Sequence, residues 1–299
     1  MQTTGIRGVI VPVITPLDDD ENVDETAFRE QLRRLISAGV HGLFVGGTAG
    51  EGPLIAADQW RRMVEVAFDE VGGNTLLLGG VMDTSTRRVR EKVRTLEAIG
   101  YSHFVLTTTF YLAARTASEH LRLFGEARGA GSGMEMVAYN IPPCTGSALA
   151  IETVLEMARR GWIRCCKESS GDGAYFRELI SRGKDVGLSV LIGDEAAMIE
   201  GLKAGGTGLV PGCANVFPGI YLRLYEDGRR GDWNAAAATF RDALRVRGPL
   251  VAEGPCWLAG IKYAASLAGI GTGRLASPLE PCGARQRESI ERLMNERPA

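Results

Sequence analysis

Lys167 closes a short apolar run in the stretch "GWIRCCKESSGD", where Trp162, Ile163, Cys165 and Cys166 precede it and Gly171 and Gly173 follow. The run reads as a strand feeding a loop, with the lysine where the strand stops. An amine held there among cysteines and core atoms loses hydration, so its pKa falls and it becomes a nucleophile suited to imine formation with a carbonyl. The competing reading is a structural lysine ion-paired with Glu168 or Asp172. Three other strand ends bear on the choice. "FVGGTAGEG" sets Gly46, Gly47, Thr48, Ala49, Gly50 and Glu51 in a turn, either a tight bend or a set of backbone N–H groups converging on an anion such as a carboxylate. "VAYNIPPCTG" carries Tyr139, either a proton-shuttling phenol or a core tyrosine. "VLTTTFYLAA" puts Phe110 and Tyr111 in a loop without periodicity, which fits an interface, a lid or ordinary packing.

Strand ends position such groups only if strands and helices alternate, and they do throughout most of the chain. "GVIVPVITP" is followed by "DETAFREQLRRLISAG", where Asp24 caps, Phe28, Leu32, Leu35 and Ile36 share a face and Gly39 terminates. The same unit recurs after "GLFVGG", "TLLLGGV", "HFVLTTT", "MEMVAYN", "WIRCC", "LSVLIGD" and "GTGLVPG". About eight strand–helix units predict a TIM (β/α)8 barrel, an α/β fold whose chemistry sits at the carboxyl ends of its strands. The strands are apolar throughout, as expected when both faces are covered. An open doubly wound sheet is the weaker alternative, because no G-x-G-x-x-G follows the first strand. We expect residues 1–230 to form the barrel and 231–299 a helical extension packed on it, from the patterns "DWNAAAATFRDALRVRG", "CWLAGIKYAASLAGI" and "ARQRESIERLMNE".

Lysines are scarce, at Lys92, Lys167, Lys184, Lys203 and Lys262, and by pattern Lys167 alone ends a strand while the other four read as solvated. A net charge of -2 gives no basic field for nucleic acid or an anionic membrane surface, which favours a small-molecule partner. No apolar run approaches the length of a membrane span, and the start of the chain reads as a first strand rather than a secretion signal. The six cysteines show no C-x-x-C pairing, so reduced thiols in the cytoplasm are expected. His41, His103 and His120 lack metal-ligand spacing, and no metal is expected.

The segments "GGTAGE", "TTTFY", "YNIPPCTG", "CCKESSGD", "IGDE" and "KAGGTGLVPGCANVFP", in this order and spacing, resemble the pyruvate-dependent Schiff-base barrel family. That family includes dihydrodipicolinate synthase, N-acetylneuraminate lyase and the 2-keto-3-deoxy sugar-acid aldolases. The resemblance covers essentially the whole chain. It implies Lys167 as the Schiff-base lysine and Tyr139 as the phenol that moves protons on the bound keto acid. Thr48 would bridge two tyrosines of a proton relay, and Tyr111 would be the tyrosine that a neighbouring subunit lends to it. Backbone amides of Thr48 and Ala49 would hold the keto-acid carboxylate in a substrate-binding turn that includes Gly47, and Val210 would set its carbonyl against the lysine. It also implies no cofactor, because the covalent imine does the work, and a homotetramer built as a dimer of dimers.

Two positions depart from the family pattern. Ala49 stands where a second hydroxyl residue is usual, removing a carboxylate hydrogen bond of roughly 0.5–1.5 kcal/mol. Cys144 stands where dihydrodipicolinate synthases carry an arginine that clamps the second substrate's carboxylate, and a lost bidentate fork disfavours a charged amino-acid aldehyde. The expected activity is therefore a class I aldolase joining pyruvate and an aldehyde, of the 2-keto-3-deoxy sugar-acid type. A dehydratase using the same imine and dihydrodipicolinate synthase itself are the near alternatives. A phosphate-binding barrel isomerase, drawn from "AGGTGLVPG", and a non-catalytic keto-acid sensor are the distant ones.

Overall fold

A computed structural model describes residues 5–251 and 256–296. Eight parallel strands follow one another in sequence order and close on themselves: β1 (Gly8–Pro12), β2 (Gly42–Val45), β3 (Leu76–Gly80), β4 (His103–Thr107), β5 (Glu135–Asn140), β6 (Ile163–Glu168), β7 (Ser189–Ile192) and β8 (Gly208–Leu209). This is the (β/α)8 barrel expected from the sequence, and it excludes the open doubly wound sheet. Helices α1 (Glu25–Ser37), α2 (Ala57–Val71), α3 (Thr86–Ile99), α4 (Ala117–Ala130), α6 (Ile151–Arg159), α7 (Gly173–Gly183), α8 (Met198–Ala204) and α9 (Pro218–Arg229) occupy the connections. One-turn α5 (Pro142–Thr145) lies inside the segment read only as a strand end. The helix expected from Glu195 starts as a 3-10 turn capped by Asp194 and becomes α-helical at Met198. None of the described helices is long and apolar enough to cross a membrane.

Local chemistry explains the boundaries. Asp24 accepts from the Ala27 amide at the start of α1, which buries Phe28, Leu32 and Leu35 but leaves Ile36 half-buried. Ser85 caps α3, and Thr116 with Glu119 forms a capping box on α4. Gly72 and Gly100 end α2 and α3 in the left-handed region, where a side chain would be strained.

By its contacts the chain divides into two compact units, one built on Leu77–Val210 with the segment up to Gly8, the other on Val9–Leu76 with the segment from Pro211 onward. In the first, the pairing is continuous from β3 through β8, and Gly8 donates its amide to Thr207. In the second, β1 pairs with β2, and α10 (Trp233–Val251), α11 (Trp257–Leu267) and α12 (Ala284–Asn295) pack on one another, α10 also packing on α9.

Asn215 ties the second unit together. Its Oδ1 accepts from the Ile14 amide at 3.0 Å and from Gln31 at 3.1 Å, while its Nδ2 donates to the carbonyls of Pro12 and Gly212, each at 2.8 Å. Asn215 is fully buried, so each bond replaces one that water would otherwise supply. Asn215→Ala strands several buried backbone groups at about 1–3 kcal/mol each. The expected outcome in chemical denaturation is a loss of about 3 kcal/mol or more, and an unchanged midpoint would show the bonds to be dispensable.

Candidate active site

In the first unit, strand pairing sets the geometry. Thr107, Tyr139, Lys167 and Leu191 pair across β4, β5, β6 and β7, so the four side chains form one row on one face of the sheet. The neighbouring row, Glu168 with Ile192, faces Phe176 of α7 across a small cleft. Side chains alternate along a strand, so the row of Lys167 faces the barrel interior.

Lys167 is 6% exposed, and its Nζ lies 4.0 Å from the centroid of the Tyr139 ring. Burial pulls the amine from its ordinary 10.5 down to about 7, with the nearby Cys144 thiol pulling weakly the other way. The two carboxylates that could have made this a structural ion pair are used elsewhere. Asp172 caps α7, accepting from the amides of Ala174 and Tyr175 at 2.9 and 3.0 Å. Glu168 accepts from Asn140 Nδ2 at 3.1 Å and from the Ser170 amide at 2.7 Å, and its burial raises its pKa.

Asn140 explains why the asparagine after Tyr139 and the glutamate after Lys167 occur together. Besides bonding Glu168, its Oδ1 accepts from the Leu149 amide at 2.9 Å and its carbonyl from the Ser169 amide at 2.9 Å. The ends of β5 and β6 are thereby locked at the level of Tyr139 and Lys167. Gly193, after β7, is required by crowding: a Cβ there would stand 2.9 Å from Lys167 Cε and 1.9 Å from Ser169 Oγ. Cys165 is held protonated by burial, its thiol raised to about 12, and burial pushes the Cys166 thiol well up from its ordinary value too, so both stay protonated at neutral pH.

The other residues of this unit divide. Cys144 is exposed on α5, close enough to Lys167 to influence its charge. Val210 is buried just beyond β8, its amide donating to Ile192 at 2.8 Å. Tyr111 is 92% exposed with a left-handed backbone (φ 71°), and Leu112 beside it is 83% exposed. Within the chain Tyr111 therefore stands in solvent and does not join the row of Tyr139 and Lys167. Its loop is held at the base by His120, whose Nε2 lies 3.0 Å from the Ala114 carbonyl and 3.2 Å from Ser147 Oγ.

The second unit holds Gly47, Thr48 and Ala49 in a turn wound tightly on itself. A Cβ on Gly52 would come within 2.1 Å of the Gly46 carbonyl, and one on Gly50 within 3.0 Å of Gly46 N. Thr15 Oγ1 holds the Gly50 carbonyl at 2.8 Å, and Glu51 donates its amide to Thr48 at 3.2 Å. Among the described residues the amides of Thr48 and Ala49 donate to no acceptor, which leaves two adjacent N–H groups for an anion.

Two lysines are not the solvated residues the sequence pattern indicated. Lys92 folds back on Asp83 at 3.0 Å and on the Met82 carbonyl at 3.1 Å. Lys262, 2% exposed, bonds Glu51 at 2.6 Å, and the second oxygen of Glu51 accepts the Ala276 amide at 2.7 Å. The available signal was the lysine's place as the one charge in "CWLAGIKYAASLAGI", a run too apolar to leave it in water.

Comparison with known proteins places the chain in a family. The profile of the dihydrodipicolinate synthetase family matches residues 5–297. An uncharacterized DapA-like lyase of Halobacterium salinarum is 34% identical over 289 residues, 96% of this chain and 92% of that protein. The 4-hydroxy-tetrahydrodipicolinate synthase of Methanothermobacter thermautotrophicus is 32% identical over 78% of this chain and 83% of its own length. Among solved structures, the dihydrodipicolinate synthase of Bacteroides thetaiotaomicron superposes with a TM-score of 0.90 at 26% identity, covering 97% of this chain and 98% of that one. YagE, a prophage protein of Escherichia coli K12 in complex with pyruvate, superposes with a TM-score of 0.91 at 24% identity over 97% of this chain and 98% of its own, a likeness of fold. A barrel carrying a buried lysine against a tyrosine, matched end to end by this profile, belongs to the dihydrodipicolinate synthetase family, and the protein is a lyase of the aldolase type.

Proposed function

We propose that the protein is a class I aldolase in which Lys167 forms an imine with C2 of a 2-oxo acid, pyruvate being one partner and an aldehyde the other. The observation that carries the reading is the buried Lys167 amine, brought to about 7 and packed against the ring of Tyr139. At neutral pH an appreciable fraction of the amine is uncharged and adds to the keto carbon; water leaves, and the protonated imine becomes the electron sink. In the cleavage direction the C4 hydroxyl gives its proton to the phenolate of Tyr139 as C3–C4 breaks, leaving an aldehyde and an enamine, and the phenol then delivers that proton to C3; condensation runs the same steps in reverse, the phenol taking the C3 proton and returning it to the aldehyde oxygen as the enamine attacks. The free amides of Thr48 and Ala49 would receive the keto-acid carboxylate, with Gly47 giving the turn its close approach and Val210 setting its carbonyl near the amine. The lysine supplies the electrophile, so the scheme assigns no step to a metal or organic cofactor.

Tyr111 and Thr48 would complete the proton relay across a subunit boundary. The solvent exposure of Tyr111 and Leu112 supports a second copy covering them, and a homotetramer built as a dimer of dimers is the proposed assembly. None of the six cysteines forms a disulfide among the described residues, which supports a reducing, cytoplasmic setting. We assign residues 1–230 to the catalytic barrel and 231–299 to a supporting extension.

For the aldehyde, Cys144 is the discriminating residue. A thiol in place of a guanidinium favours a hydroxylated chain, hence a 2-keto-3-deoxy sugar acid, over a charged semialdehyde. The relatives named 4-hydroxy-tetrahydrodipicolinate synthase keep that condensation as the second reading, and dehydration through the same imine uses the same two residues.

Borohydride reduction in the presence of pyruvate is expected to fix one pyruvyl group on the peptide containing Lys167. The attacking species is the neutral amine, so the trapping rate should rise as pH climbs through about 7 and then level off. A rate still climbing towards 10.5, or no adduct on folded protein, would discard the activated lysine.

Cys144→Arg restores a fork for a carboxylate and is expected to raise condensation of pyruvate with aspartate semialdehyde by about tenfold or more. An unchanged rate would remove Cys144 from the specificity argument.

A further inference from the structure

Glu51 is the last residue of the glycine-rich turn and the one that looks misplaced. Its backbone is left-handed (φ 56°), a conformation that glycine adopts freely and glutamate does not. Its carboxylate is fully buried close in sequence to the two free amides proposed to receive an anion. An uncompensated negative charge there would repel that anion and strain the turn. The compensation comes from the helical tail: Lys262 of α11 at 2.6 Å on one oxygen, and the Ala276 amide at 2.7 Å on the other. Lys262 is as buried as its partner, so the pair is a local neutral unit shielded from salt.

We infer that Glu51 and Lys262 are positioning residues for the keto-acid carboxylate, the tail holding the Thr48–Ala49 amides in their anion-receiving orientation through this ion pair. The inference rests on the reading of that turn as the carboxylate site. On this inference the pair governs how much pyruvate is needed, and the reactivity of bound pyruvate is assigned to Lys167 and Tyr139.

The test compares the full-length wild type with Lys262→Met, the double variant Glu51→Gln/Lys262→Met, and Glu51→Asp. The double variant removes both charges together and strands neither, which preserves folding; Glu51→Asp keeps both charges and withdraws the carboxylate by one methylene. Pyruvate is the probe, read by calorimetric titration and by borohydride trapping across a concentration series, with thermal melting as the folding control. For the double variant and Glu51→Asp we expect a half-saturating pyruvate concentration about tenfold or more above wild type, with the same adduct yield at saturation. Lys262→Met, which leaves the glutamate unbalanced, should bind more weakly than the double variant. A purely structural pair would lower the melting temperature and leave half-saturation unchanged in both the double variant and Glu51→Asp, which would overturn the inference while the imine reading stands. If wild type binds pyruvate without forming an adduct, and the variants bind it less, the imine reading falls and the positioning role stands. Absence of pyruvate binding to the wild type in both readouts overturns both.

Discussion

The desolvation of a single amine is the constraint around which this protein is arranged. Lowering a lysine from 10.5 to about 7 costs on the order of 4 kcal/mol at neutral pH, because the unfolded chain would hold a proton that the folded chain gives up. The sign is that of a depressed cationic group. Folding stability rises with pH between about 7 and 10.5 and carries the full penalty below that window. A cost of that size is a large part of a domain's net stability and is offset by strand ends locked with buried hydrogen bonds, of which Asn140 with Glu168 and Leu149 is the nearest set.

The same constraint explains which neighbours are inert. Burial that frees the lysine of its proton fastens protons to Cys165 and Cys166, so one apolar environment activates the cation and silences the thiols. Burial alone therefore does not make a nucleophile; the charge type of the acid decides the direction.

The barrel was legible because it is written in repeated local signals: uniformly apolar strands, capped amphipathic helices and glycine stops. The places of Lys167 and Tyr139 were legible because each lies one residue from the end of such a strand. What escaped was carried by contacts between residues far apart in the chain. The partnership of Lys262 with Glu51 joins α11 to a turn about two hundred residues earlier, and no periodicity announces it. The asparagine of "YN" and the glutamate of "KE" were visible as letters, but their bond depends on the register of β5 against β6. The one-turn α5 was missed because two prolines mask a helix too short to show a repeat.

The location of Cys144 on α5 has a further meaning. The amine and the phenol are fixed by strand register, where a shift of one residue would turn both side chains to the opposite face. Cys144 instead rides on a single turn, exposed and free of that register. On the proposed reading, electronic activation and selection of the incoming partner are encoded in separable pieces of chain, so an inherited change in the second would redirect the enzyme to a new aldehyde and leave the first intact.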